Sequence, residues 1–547
     1  MKKSKLLLLL LMILIIGITL MSCDWGNKYE GVTDVDFAVI WNGLSSIYPQ
    51  SETDNPVAAH MREKTNVNMK LKFYDGFEND NLMRLFSVGK NMPDVIMAPY
   101  WGGGDPNSAT IRQAVRDGLL VSVDEFLEEY APNLKNAWTN GVAQSFIDLE
   151  LTHKDFDGKK YIIPMQTPAS DDDTTNWGYT VYARKDILSS LAVEPSSIHT
   201  SNDVYELATK IKAGNFKDKN GNNIITASTF AYGWSYETYL NSFKTRINQT
   251  NVRCAGDGTL SWVSQSQHLK DEIVFMNNMI NNGLFDKTAF THGQAQVLQK
   301  HITGGVGLTS TIYYTLRSTL KNTLYVTNPE MEYVPLGPIV DANGDSAMPG
   351  TFRQRGEYGF PVLLITKDCK NVEAVMRYLN YINSEEGRLV ATLGIFNEDW
   401  MYDEGGKIIR TPQFLEQEAK DPNYEVKRGI AYHYLGVSQV PNAKIGNALY
   451  ANDETYAKVM SMYPTQLIEG TLASSFDLEF PQIEYFRNIL NAMNYQTTIE
   501  SAYCAKNNSD ALTILNNYNY NLDSRGYLTA YLAWLTNRLK DEVNIIF

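Results

Sequence analysis

The sequence predicts an α/β fold built on a largely parallel sheet. Short apolar runs of strand character alternate with helical stretches. Those stretches carry one-sided apolar stripes, and 547 residues suffice for more than one lobe. Val35-Asp36-Phe37-Ala38-Val39-Ile40 reads as a first strand ending at Trp41-Asn42-Gly43, and residues 56–65 read as a helix. Met69-Lys70-Leu71-Lys72-Phe73-Tyr74 alternates with the two-residue period of a strand. A helical stretch over 81–89 follows, and Pro93-Asp94-Val95-Ile96-Met97-Ala98 is a third strand. Strands joined through helices form crossover units, whose ligands sit beyond the carboxyl ends of the strands. Trp41, Asn42, Tyr100 and Trp101 fall at that edge.

Further along, Ser122-Val123-Asp124-Glu125 has capping-box spacing, with Ser122 as N-cap, and Pro132 stops the helix that follows. Ser201 opens a helix with Val204, Leu207, Ala208 and Ile211 on one face and Gly214 after it. Leu269, Ile273, Met276 and Ile280 make a stripe ending at Gly283, and Val372, Val375, Met376, Leu379 and Ile382 make another, capped by Asn371. From about Gln482 the chain reads mostly as helices. The sequence holds no internal repeat and no Gly/Ser/Pro linker, so the lobes should be interwoven.

The first residues form an export signal. Lys2, Lys3 and Lys5 precede an apolar run from Leu6 to Leu20, then Leu20-Met21-Ser22-Cys23. The run is shorter than a membrane span requires. The cut before cysteine resembles that of bacterial lipoprotein signals. It implies removal of residues 1–22, a diacylglycerol on the Cys23 thiol, a tether over 23–30 and a globule held on the outer face of a cell membrane. The net charge is −14, which argues against a phosphate-backbone partner. Cys254, Cys369 and Cys504 are too few and too scattered for a disulfide framework, and the seven histidines lack zinc spacing. Aromatic residues reach 12%, with 33 Tyr and 9 Trp; they fill cores, but they also stack on sugar faces.

An ordered series of short motifs resembles the family 1 extracellular solute-binding proteins of ABC importers, the large lipoprotein type that captures oligosaccharides. The motifs are Gly89-Lys90-Asn91-Met92-Pro93-Asp94-Val95-Ile96, Gly118 to Asp124, Asp157-Gly158-Lys159-Lys160-Tyr161, Tyr182-Ala183-Arg184-Lys185-Asp186, Gly304-Gly305-Val306-Gly307-Leu308 and Ser384-Glu385-Glu386-Gly387. The resemblance implies a two-lobed, periplasmic-binding-protein-like clamp (type II) with extra C-terminal helices. Residues 31–178 and 333–383 would form the first lobe, and residues 179–332 and 384–547 the second. It implies a monomer that closes over a carbohydrate and hands it to the permease subunits, with no catalysis.

A pyranose offers an apolar face to an aromatic ring and hydroxyls to polar side chains. By strand-end position and family pattern, the expected ligand residues are Trp101, Tyr100, Trp41, Asn42, Trp177, Trp234, Tyr236, Tyr313 and Tyr314. Asp173, in the run Asp171 to Asp173, could accept hydroxyl bonds, and Arg353 and Arg355 could rim the cleft. Asp218-Lys219-Asn220-Gly221-Asn222-Asn223 is similar to an acidic loop that binds calcium in the family. Asn220 replaces an aspartate there, so Asp218, Asn220 and Asn222 make a weak Ca²⁺ candidate and a better plain turn. No other cofactor is expected. Two further classes fit the composition: a secreted glycoside hydrolase, which needs two carboxylates facing one sugar, and a glycan-binding lipoprotein without transport. No nucleophile motif such as G-x-S-x-G occurs.

Overall fold

A computed structural model describes residues 31–41, 44–100, 105–135, 147–153, 156–165, 167–168, 179–230, 235–243, 251–321, 323–341, 343–344, 352–354, 361–421, 423–430, 439–440, 454–462, 466–468, 471–543 and 545–547. Two sheets organise it. Their strands in chain order are β1 (Thr33–Ile40), β2 (Val67–Tyr74), β3 (Val95–Pro99), β4 (Ile162–Pro164), β5 (Tyr179–Arg184), β6 (Ile225–Thr229), β7 (Val306–Ile312), β8 (Tyr333–Pro335) and β9 (Pro361–Ile365).

The first sheet has the order β2-β1-β3-β9-β4, with β1 parallel to β2 and β3 and with β9 antiparallel to β3 and β4. Its strands alternate between two cores. Val35, Phe37 and Val39 face one, with helix Val372–Ile382; Ala38 and Ile40 face the other, with Leu82 and Ile111. The second sheet, β8-β5-β7-β6, is mixed: only β7 and β6 run parallel. Val181, Ala183 and Leu308 face a core with helices Ser201–Ala213 and Gln267–Asn281, while Tyr182 faces a smaller cluster with Phe230 and Tyr313. The predicted stripes all pack inward.

Local signals held with small shifts. Asn371 accepts the Ala374 amide at 2.9 Å, as an N-cap does. The cap at 201 lies one residue earlier, where Thr200 and Asp203 form the capping box. The box at Ser122 is not made. Its helix starts at Asp124, whose carboxylate instead accepts the Lys160 amide at 2.7 Å and the Lys160 ammonium at 2.9 Å.

The lobe boundaries need two corrections. Tyr333–Pro335 pairs with β5, Leu336 and Ile339 lie in the second core, and the Val340 amide donates to the His199 carbonyl at 2.7 Å, so the chain leaves the second lobe after Val340, not at 333. Nor does the second lobe resume at Ser384: Val390, Ala391, Phe414 and Ile430 lie in the first core, because helix Glu385–Leu393 packs on helix Val372–Ile382. The return to the second lobe falls between Ile430 and helix Glu454–Met462, whose Val459 joins the Tyr182 cluster. The C-terminal helices do belong to the second lobe. Ile499, Tyr503 and Leu515 enter its core, and Phe480, Phe486 and Tyr531 close on Trp262 and Val263.

The turn at 384–387 shows why its glycine is fixed. A Cβ on Gly387 would stand 1.9 Å from the Tyr381 carbonyl oxygen and 2.9 Å from the Ile382 Cα, both backbone. Gly387→Ala should therefore lower unfolding free energy by about 2–3 kcal/mol through overpacking, read as a lower urea midpoint at unchanged slope. A change within experimental error would contradict the close approach.

Candidate functional site

Register brings the strand ends to two edges. In the first sheet Ile40 pairs Tyr74, Pro361 pairs Pro99, and Val362 pairs Pro164, so the carboxyl ends of β1 to β4 meet the start of β9. In the second, Ile312 pairs Tyr179 and Ser310 pairs Thr229, so the ends of β7 and β6 meet the start of β5. The chain leaves the first edge at Pro164 and enters the second at Tyr179, so both edges face the hinge. Two small ladders tie the crossings: Gln439–Val440 with Thr167–Pro168, and Phe352–Gln354 with Gln466–Ile468.

Most expected ligand residues adjoin these edges in sequence. Trp41 follows β1, half-buried against the first core. Asn42, Trp101, Asp171, Asp172, Asp173, Trp177, Trp234 and Arg355, with Cys23, lie outside the described residues, as do the side chains of Tyr314 and Arg353.

Three tyrosines need correcting, because their rings are committed to packing. Tyr100 is fully buried; its hydroxyl donates to the Glu150 carboxylate at 3.0 Å and accepts from Arg112 at 3.0 Å. Burial pushes that phenol well above its usual range. Tyr236 sits in the second core, edge-on to Phe290 and Tyr503 at 5.4 and 5.8 Å, and accepts from Gln496 at 2.9 Å. Tyr313 is buried with Leu316, Leu320 and Phe230, its ring 6.5 Å from Tyr182. Aromatic spacing alone does not separate such rings from cleft rings.

The structure adds two residues that the sequence did not suggest. Thr180 and Thr311 pair directly at the second edge, on the Tyr182 face, and both hydroxyls are buried without a hydrogen-bond partner among the described residues. Such groups are uncommon in folded proteins. Threonine in a strand is ordinary, so no sequence signal marks them.

The Asp218 loop closes on itself as a hydrogen-bonded turn. One carboxylate oxygen accepts the amides of Asn220 and Asn222 at 2.9 and 2.7 Å, and the other accepts the Asn222 side-chain amide at 3.2 Å. Gly221 takes the left-handed conformation of a tight turn, φ +82°. No group of three or more acidic, histidine or cysteine side chains gathers among the described residues. A solvent-open depression lined by Asp34, Arg62 and Lys70 lies at the amino ends of β1 and β2, away from both edges. Among the described residues no helix is long and apolar enough to cross a membrane.

Comparison with known proteins places this architecture. No family model matches the chain. A fructooligosaccharide ABC transporter substrate-binding protein, FusA of Streptococcus pneumoniae, is 22% identical over 372 residues, covering 64% of this chain and 63% of that protein's length. The structure of FusA in complex with kestose superposes with a TM-score of 0.63 at 16% identity, covering 92% of this chain and 98% of that one. The alginate-binding protein AlgQ2, solved without calcium ion, gives 0.61 at 17% identity over 93% and 98%. The N-glycan transport solute-binding protein NgtS of Streptococcus pneumoniae with Man5GlcNAc gives 0.54 at 13% identity over 93% and 98%. The two-lobed fold of the sugar-binding ABC transporter proteins is therefore the fold of this chain.

Proposed function

We propose that this chain, folded as an ABC-transporter substrate-binding protein, captures an oligosaccharide between its two sheet edges and presents it to a permease by hinge closure. The observation that carries the reading is the arrangement of the edges. Both face the hinge, and the chain crosses between them three times. Along the sequence they are flanked by Trp41, Trp101, Trp177 and Trp234. A sugar would stack on such rings, and its hydroxyls would meet groups like those of Thr180 and Thr311. An unpaired buried polar group costs about 1–3 kcal/mol, which rewards the matching sugar. The protein is not an enzyme in this reading. It works as a monomer on the outer face of the cell membrane, held by lipid on Cys23, without calcium at the Asp218 turn.

The test is a thermal-shift screen of residues 24–547 against a glycan panel, with peptides as controls. A sugar at a hundred times its dissociation constant should add about 2.7 kcal/mol and raise the melting midpoint, and it should be recovered intact. A shift with peptides alone would discard the sugar. Release of reducing sugar without any shift would replace the binding protein with a hydrolase.

A further inference from the structure

An ion pair joins the two lobes apart from the chain crossings. Lys321 of the second lobe pairs with Glu418 of the first, nitrogen to oxygen 3.3 Å. Neither residue belongs to the two small ladders that tie the crossings. Each sits on a body fixed to its own lobe. Lys321 follows helix Tyr313–Leu320, where its amide donates to the Arg317 carbonyl at 2.9 Å. Leu316 and Leu320 bury that helix in the Tyr182 cluster. Glu418 lies on helix Pro412–Lys420, which Phe414 anchors in the first core. Thr411 caps this helix by accepting the Phe414 amide at 3.1 Å. Arg410 lies 4.3 Å over the Phe414 ring and pairs with Glu425 at 2.8 Å, and Arg428 pairs with the buried Asp399 at 2.7 Å. Glu416 and Lys420 of the same helix pair with one another at 2.5 Å, so Lys420 does not compete for Glu418.

Hinge opening moves each lobe as a unit, so it would draw Lys321 away from Glu418. The strength of the pair follows from its exposure. At 38% and 23% exposed, both side chains keep water, so the attraction is modest and screened by salt, without the heavy desolvation cost of a buried pair. We propose that Lys321 and Glu418 form a salt-sensitive tie that favours the closed clamp before ligand binds. A tie of this kind shifts the resting equilibrium by about two- to five-fold. That raises the population that a ligand completes, yet leaves the lobes free to open for entry and release. Helix Tyr313–Leu320 starts directly after Ile312, at the second strand edge, so the tie is built on an element that leaves the cleft. The tie rests on the clamp reading above, but not on the ligand being a sugar.

The experiment treats ligand-free residues 24–547 with a water-soluble carbodiimide, which joins an amine to a carboxylate in contact without a spacer. Mass spectrometry of the digest should show a Lys321–Glu418 amide. Its yield relative to the Lys420–Glu416 amide within one helix should fall in about 1 M salt, where the screening length is about 3 Å. A Lys420–Glu416 product without a Lys321–Glu418 product would overturn the proposal. The closed population is read separately, as the distance distribution between nitroxides at Ser87→Cys and Thr209→Cys. These are exposed positions on the two lobes, and Cys254, Cys369 and Cys504 are replaced by serine. Lys321→Gln and Glu418→Gln should each lower the closed-to-open ratio by about two- to five-fold, and the exchange Lys321→Glu with Glu418→Lys should restore it. Single variants that match the unsubstituted protein would overturn the proposal. So would an exchange no better than the single variants, because the charges would then not be acting on one another. A thermal-shift screen without any sugar hit would sink the carbohydrate reading and leave this result intact.

Discussion

Glu150→Ala should destabilise the protein by about 3–5 kcal/mol, the range for breaking a fully buried ion pair. The cost comes less from the lost attraction than from what remains. Arg112 would keep its charge at 1% exposure without the Glu150 carboxylate, and the Tyr100 hydroxyl would lose that acceptor at 3.0 Å. Replacing both charged partners by Arg112→Met and Glu150→Leu should recover much of the loss, since apolar isosteres often match or exceed buried pairs. Urea unfolding measures all three proteins at one pH. A single-variant loss below 1 kcal/mol would mean that water reaches the pair. A double variant as weak as the single would mean that the geometry itself, rather than the orphaned charge, is what matters.

This triad also shows where the sequence stopped being legible. Arg112 stands beside Ile111, Ala114 and Val115 on a buried helix face, and nothing in the local sequence marks it as one half of a buried ion pair. Only the fold brings Glu150, 38 residues on, against it. Tyr100 read as a ligand residue for the same reason: strand-end position told where the residue was, but not which way its ring was spent.

The family motifs were easier, and the structure explains why. Each is a scaffold device. Asp94 of the P-D-V-I segment accepts the amides of Asp36 at 2.8 Å and Lys370 at 3.2 Å, tying β1 to the segment after β9. Asp124 and Lys160 join two motifs into one ion pair at 2.9 Å. Arg184, 1% exposed, pairs with Asp186 and donates to the Lys217 carbonyl at 2.9 Å. A Cβ on Gly307 would stand 2.9 Å from the Thr226 carbonyl oxygen of the neighbouring strand. Backbone staples and close approaches demand particular residue types at fixed spacing. Ligand contacts in a cleft can be met by many residues at many positions. The fold was therefore readable from local pattern, while the site was readable only as a set of strand ends. Lobe membership after 384 failed on similar grounds, because helix Glu385–Leu393 carries no mark of the core it will join.

His301 should make the protein acid-sensitive in a window set by its own titration. Its ring is fully buried, with one nitrogen 2.8 Å from the Val297 carbonyl and the other 2.9 Å from the Thr309 hydroxyl. The first bond requires a ring N–H donor and the second leaves a ring acceptor for the hydroxyl, so the neutral imidazole satisfies both. Burial pushes its pKa down to about 4, with Lys300 opposing a second positive charge and Asp286 only partly offsetting it. Phe230 and Tyr333, 4.5 and 6.2 Å away, enclose the ring without supplying a charge. The unfolded chain takes up the proton near 6.5, before the folded one does. Stability is therefore whole above about pH 6.5 and is lost as pH falls toward 4, by about 3 kcal/mol. Other acid-labile groups act in wild type and variant alike, so the informative quantity is the difference from His301→Gln. That variant starts lower at pH 7, and the gap should close by about 3 kcal/mol at pH 4. A gap constant across this range would mean that the imidazole is solvated, and that the packing of helix Gln294–Ile302 on β7 does not exclude water.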